Sequence, residues 1–321
     1  MNKLNPTTFA LALDFGGTKL AAGVVNINTA EIVSLVRTST PASQGAGATL
    51  QAMLDTGFEA LRRSKVKNDI VRVGISFGGP VSKDRTTVLH SHHVAAWDGV
   101  ALTEQVSNAF NLPSYMDNDA NAAALGEWYF GAGKRVENMI YIQVSTGVGA
   151  GLILNGQLFR GNALAGEFGH ITILPDGPIC VCGRPGCVES MCSGWAIARD
   201  GRAAFEVSAV NSPLHQLCNN LADQISAQTV IEAYRQGDLL AQAILEKAFT
   251  GLAIGISNMV SLFDPDSVVL GGGVTRAQDV LLQFLNPALE KYLHPLSKNR
   301  FALKFSELNG METLLGAALL S

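Results

Sequence analysis

Cysteine is scarce in this chain, with five in 321 residues. So few thiols exclude a disulfide-rich secreted scaffold. Long basic runs are missing too, and the net charge is −4. That excludes the electrostatic footprint of a nucleic-acid binder. The most apolar later stretch, Phe249 to Phe263, is broken by Thr250, Ser257 and Asn258. It falls short of the run of about 18 apolar residues that a membrane span needs. The first residues, MNKLNPTTFALALDFGG, lack a signal peptide's long apolar core and small-residue cleavage site. A cytoplasmic protein is expected, whose thiols stay reduced. No G-x-x-x-x-G-K-[ST] string is present, which excludes a P-loop NTPase, and no G-x-G-x-x-G follows the first strand.

Glycine, in contrast, is abundant, with 33 residues, about one in ten against a usual 7% or so. The length suits two lobes of roughly 150 residues each. Two segments resemble one another: LALDFGGTKLAAGVV from Leu11 and IQVSTGVGAGLIL from Ile142. Each reads as a strand, a Gly-rich turn and a second strand, and the separation is that of a domain repeat rather than a solenoid. Between and after them strand and helix patterns alternate. Strands are expected at Ile32–Val36, Val71–Ser76, up to Asp117–Asp119, and at Ser267–Val274. Helices are expected at Ala48–Arg62, Leu102–Phe110, from Ala120 to Phe130, and over Leu239–Leu262 as one long helix or a bent pair. Alternation of this kind indicates an α/β fold.

The glycine turns have chemical meaning as well. Asp14-Phe15-Gly16-Gly17-Thr18-Lys19 and Ser145-Thr146-Gly147-Val148-Gly149 both let backbone N–H groups converge on an anion. Gly271-Gly272-Gly273 would let a flat ring lie against backbone. Any one of these alone is more often a plain turn. Their order, one phosphate-type hairpin per half and a late Gly-rich strand end, resembles the actin, hexokinase and Hsp70 ATPase superfamily. That resemblance implies a two-lobed actin-like (ribonuclease H-like) fold with ATP in the interlobe cleft and Asp14 aimed at Mg²⁺.

Three of the five cysteines fall in CVCGRPGCVE as Cys180, Cys182 and Cys187. Three thiols interleaved with Gly183, Pro185 and Gly186 are a metal knot rather than three core residues. The fourth ligand is His170 or Cys192. Fixing such a knot also fixes Glu167 and Glu189, which would serve a hydroxyl-rich ligand.

Glu-x-Gly-His (Glu167–His170) followed by C-x-C-G-x-x-G-C-x-E (Cys180–Glu189) is similar to the signature of the ROK family of sugar kinases and related repressors. DFGGTK, Gly78-Gly79-Pro80, NDANAAALGE from Asn118, STGVGAG, the glycine triplet and GAALL from Gly316 occur in the family's order. The resemblance implies Asp119 as catalytic base, with Asn118, Glu167, His170 and Glu189 holding sugar hydroxyls and Gly79 beside the sugar. It implies structural Zn²⁺ on His170, Cys180, Cys182 and Cys187. It implies a small lobe over 1–117, with a C-terminal helix of about 310–321 packing back on it, and a large lobe over 118–309. It further implies a homodimer or a dimer of dimers, while the charge balance and the interrupted apolar stretch argue against a nucleic-acid or membrane partner.

The residues agree: phosphoryl transfer needs positioning, charge neutralisation and a carboxylate for the hydroxyl proton. Asp119 and Asp117 are also both placed to cap the helix that follows. His90, His92 and His93 could suggest a second metal site, but no cysteine or close carboxylate accompanies them. Trp128, Tyr129 and Phe130 read as packing residues, Cys192 and Cys218 as ordinary thiols. The function expected is an ATP-dependent hexose kinase acting on glucose first, with mannose, fructose or N-acetylmannosamine as alternatives. A sugar-sensing regulator is the alternative from another class.

Overall fold

A computed structural model describes residues 8–66, 69–91, 94–207 and 212–321. In chain order the elements are β1 (Phe9–Phe15), β2 (Lys19–Asn26), β3 (Ile32–Ser39), α1 (Gly45–Ser64), β4 (Ile70–Phe77), α2 (Leu102–Phe110), β5 (Ser114–Asn118), α3 (Asp119–Phe130), β6 (Met139–Val144), β7 (Val148–Leu154) and β8 (Gln157–Phe159). There follow α4 (Val188–Cys192), α5 (Gly194–Phe205), α6 (Pro213–Leu217), α7 (Ala227–Arg235), α8 (Leu239–Phe263), β9 (Ser267–Gly271), α9 (Gln278–Tyr292), β10 (Ala302–Phe305) and α10 (Glu312–Leu319). They form two five-stranded sheets, ordered β3-β2-β1-β4-β5 and β10-β9-β6-β7-β8. Read from the far edge, the second order is β8-β7-β6-β9-β10, which is the pattern of the first sheet. The internal repeat is therefore a repeat of sheet topology. This mixed α/β arrangement is the two-lobed actin-like ATPase fold.

The chain divides into two compact units. One comprises 1–137, 151–166 and 306–321; the other comprises 138–150 and 167–305. In the first unit β1 runs antiparallel to β2 and parallel to β4, and β4 runs parallel to β5. β1 is buried on both faces, which is why FALALDF reads as a continuous apolar run. One face of the sheet packs on a core that includes Leu11, Leu13, Met53, Ile75 and Met116; the other packs on Leu314, Leu315, Ala317 and Ala318 of α10. α10 also crosses α3 at very short range. A Cβ on Gly316 would sit 1.6 Å from Ala122 O, so only glycine permits the crossing.

In the second unit α8 is a single helix of 25 residues, capped by Asp238, whose side chain accepts from Leu240 N and Ala241 N. It is long and apolar enough to cross a membrane. However, 56% of its most apolar window is buried inside the protein, among them Leu245, Phe249, Leu252 and Ile256. That is the signature of a core helix, and its apolar length is explained by packing rather than by lipid. Between α5 and α7 lies the short helix α6, whose cap Ser212 accepts from His215 N.

Candidate active site

In the first unit, parallel pairing sets three polar residues in one row: Asp14 of β1 opposite Ser76 of β4, and Ser76 opposite Asp117 of β5. Ser76 Oγ donates to Asp14 Oδ1 at 3.0 Å. Burial, then the charge of Asp119, push the Asp14 carboxyl up to about 7, against a smaller downward pull from Ser76. A cation beside Asp14 would offset both effects.

The helix cap differs from either expectation. Asn118 caps α3: its Oδ1 accepts from Asn121 N at 2.7 Å. Asp119 is the first helical residue and its Oδ1 accepts from Ala120 N at 2.9 Å. Asp117 is buried and accepts from Asn118 N, from Asn121 Nδ2 and from Arg160 Nε. Capping thus falls to a neutral amide, and Asp119 stays half-buried at the carboxyl end of β5. No motif marks Arg160, which lies in the first unit 43 residues from its partner Asp117.

Gly16 N closes the first hairpin on Lys19 O at 3.2 Å, and Gly78 N donates to Phe15 O at 3.0 Å. Gly79 packs against His90 O. Trp97 is fully buried between Phe15 and Phe77. His90 lies 3.2 Å from Asp98 through Nδ1. His92 and His93 lie outside the described residues.

In the second unit the cysteine loop is held by two isolated bridges, Thr172 with Cys187 and Ile179 with Pro185. Gly186 has φ +62° and a Cβ there would lie 1.5 Å from Leu174 O, so the loop requires glycine. One ligand atom each from His170, Cys180, Cys182 and Cys187 falls within 4.8 Å of the others. Cys180 Sγ is 3.6 Å from His170 Nδ1, and Cys182 Sγ is 3.7 Å from Cys187 Sγ. Spacings like these suit a tetrahedral ion with sulfur and imidazole ligands.

The thiols titrate apart. Burial pushes Cys180 up to about 12 and also raises Cys187. Burial acts the same way on Cys182, but hydrogen bonds from Arg184 and from both neighbouring thiols outweigh it and bring Cys182 down to about 6. Three thiols in mutual contact cannot all ionise unless a cation joins them, so the donor set fits zinc. Cys192, the other candidate ligand, is fully buried in α4 and its thiol is pushed up by burial.

With Nδ1 turned to the cysteines, His170 Nε2 faces Glu167 Oε2 at 3.8 Å. Burial raises the Glu167 carboxyl, His170 lowers it and Glu189 raises it again. Glu189 is 7% exposed. Its Oε2 accepts from Val148 N at 2.9 Å and its Oε1 from Trp195 Nε1 at 3.3 Å.

A cavity of about 580 Å³ opens beside the second glycine hairpin, lined by Ser145, Thr146, Trp195, Gln224, Ile231 and Gly273 among others. Gly271, in contrast, packs under Tyr141. Most of the cavity wall comes from α5, α7 and the segment before α7, where no motif announces it.

The ROK family model matches residues 10–321. A glucokinase of Streptomyces coelicolor is 35% identical over 285 residues, 88% of this chain and 87% of that one. An N-acetylmannosamine kinase of Vibrio cholerae is 33% identical over 283 residues, 87% and 88% of the two chains. Among solved structures, a ROK family glucokinase from Streptomyces griseus in complex with glucose and AMPPNP superposes with a TM-score of 0.83 at 33% identity, covering 97% and 99%. A ROK family transcriptional regulator superposes at 0.85 and 26% identity, covering 98% of this chain and 78% of that one. Motifs, sheet repeat, cysteine cluster and these likenesses together show that the chain belongs to the ROK family.

Proposed function

We propose that the protein is an ATP-dependent hexose kinase that phosphorylates the 6-hydroxyl of glucose or a close relative. The observation that carries this reading is Asp119, a half-buried carboxylate released from capping duty, whose charge acts on Asp14 at the end of β1, one strand removed across β4. Asp119 takes the proton of the 6-hydroxyl, the hydroxyl oxygen attacks the γ-phosphorus, and ADP leaves with the bridging electron pair. Asp14 would hold Mg²⁺, which would supply neutralisation of the phosphate charge. Backbone N–H groups at Gly17, Thr18 and Lys19, and at Thr146, Gly147 and Gly149, receive the phosphates, with Gly16 closing the first turn on Lys19 O and Ser145 at the head of the second. The 580 Å³ cavity beside Ser145, Thr146 and Gly273 has the size for the nucleoside.

Sugar hydroxyls go to Glu167, to His170 Nε2, to Glu189 and to Asn118 Nδ2, with Gly79 alongside. His170 Nδ1, Cys180, Cys182 and Cys187 would hold Zn²⁺, which supplies rigidity to that wall. Glucose is the first substrate because two carboxylates and an imidazole match unmodified hydroxyls, and because glucokinases are among the similar proteins. N-acetylmannosamine is the second reading, supported by the kinase relative from Vibrio cholerae. We propose a cytoplasmic protein that forms a homodimer or a dimer of dimers.

The test is ADP release from Mg-ATP with glucose, mannose, fructose, N-acetylglucosamine and N-acetylmannosamine, for the parent and for Asp119→Asn. One sugar should drive turnover, and the substitution should lower kcat by about 10³ or more. A sugar that raises the melting temperature without driving turnover favours the regulator reading over the kinase.

A further inference from the structure

Nucleotide and sugar are assigned above to different groups, the 580 Å³ cavity and the Glu189 carboxylate. One side chain touches both. Trp195, the second residue of α5, lines the cavity together with Ser145 and Thr146. Its Nε1–H donates to Glu189 Oε1 at 3.3 Å. The other oxygen of Glu189 accepts from Val148 N at 2.9 Å, at the start of the strand that leaves the same glycine turn. The backbone tightens this link: Gly194 N donates to Ser145 O at 2.7 Å and Trp195 N to Thr146 O at 3.2 Å. The Arg199 guanidinium covers the indole at 5.2 Å from its centroid and donates to Ser190 O at 3.1 Å. An indole needed only to fill space requires no donor directed at a buried carboxylate. Few waters could replace that donor, since Glu189 is almost fully enclosed.

We infer that Trp195 is a positioning residue that couples the two ligands. Its indole N–H orients the Glu189 carboxylate toward the sugar, and nucleotide in the cavity fixes the indole, so each ligand tightens the other. This rests on the reading of the cavity as the nucleotide's and of Glu189 as a sugar ligand. Reciprocity is required by linkage: the factor by which nucleotide improves sugar binding equals the converse factor.

Trp195→Phe keeps an aromatic ring beneath Arg199 and removes the N–H. Calorimetry on the full chain would measure glucose alone, a non-hydrolysable ATP analogue alone, and each with the other saturating. The proteins are the parent, Trp195→Phe, Glu189→Gln and the double variant. In the parent the mutual tightening should be about 5-fold or more. Trp195→Phe should weaken glucose about 10-fold, as expected for a lost bond to a charged acceptor, and bring the coupling factor, taken as a ratio within the variant, close to 1. The double variant should be no weaker for glucose than Glu189→Gln alone.

Parent-like glucose affinity and coupling in Trp195→Phe would overturn the inference, as would additive effects of the two substitutions. Should Trp195→Phe fold poorly, the parent labelled with 5-fluorotryptophan gives an independent reading. One ¹⁹F resonance among its three tryptophans must respond to glucose alone and to the analogue alone, and the absence of such a resonance contradicts the coupling. A parent that binds neither ligand contradicts the kinase reading itself, and the inference falls with it.

Discussion

Asp14 shows how a single residue can trade stability for function. Burial pushes its carboxyl from the ordinary 3.8 up to about 7 in the folded protein. The neutral form is the one that burial favours, so its contribution to stability is complete below about pH 4 and is lost as pH rises through about 7. Asp14→Asn should therefore melt higher than the parent at pH 8, by several degrees, and match it near pH 4, while losing kinase activity. Thermal melts at the two pH values check the sign; a variant that is less stable at pH 8 contradicts the assignment. Arg160 makes the opposite case. Its partner Asp117 is 1% exposed, so Arg160→Met strands a buried charge and should cost about 3 kcal/mol in a denaturant titration. Asp119→Asn, in contrast, removes a half-buried charge and should leave the melting temperature unchanged or raised. These residues differ in legibility. Asp14, Asp119 and Glu167 sit in short motifs whose spacing announces them. Arg160 and Trp195 act through partners brought near by folding, and no local pattern marks them.

At the scale of elements, the cysteine loop depends on two different constraints. Gly186 allows the turn, and the ligand set closes it. Chelation under mild denaturing conditions should release about one zinc per chain and lower the melting temperature by about 10 °C or more, with the loss recovered on adding zinc. A chain that contains no zinc as purified and melts identically with and without chelator would contradict the assignment. The α3–α10 crossing is a second such element. Gly316→Ala places a methyl group 1.6 Å from Ala122 O, and should destabilise the fold by about 2–3 kcal/mol through forced separation of the helices. Strands and helices were largely legible from periodicity, because β1 and β4 are buried runs and α8 is a long apolar helix. The cap of α3 was not, since Asp and Asn are interchangeable on propensity and only the backbone direction selects Asn118. Nor was the cavity wall, which α5 and α7 share across some thirty residues of sequence.

For the whole molecule, the duplicated hairpin visible in the sequence corresponds to two sheets of one strand order. This repetition gives each unit a glycine turn at a hairpin tip. It also explains why the motifs are spread along the entire chain rather than gathered in one segment. Family membership follows from that whole-chain match, over residues 10–321; the identity of the hexose does not, because it depends on a few side chains around Glu167, His170 and Glu189. The central claim is transfer of a phosphoryl group to a sugar oxygen, and product analysis tests it most directly. Glucose and Mg-ATP incubated with the protein should give, by ³¹P NMR, a monophosphate ester on the 6-oxygen in amounts equal to the ADP formed, with none from Asp119→Asn. Sugar binding detected by a melting shift, with no phosphorylated sugar from any hexose tested, would contradict the account.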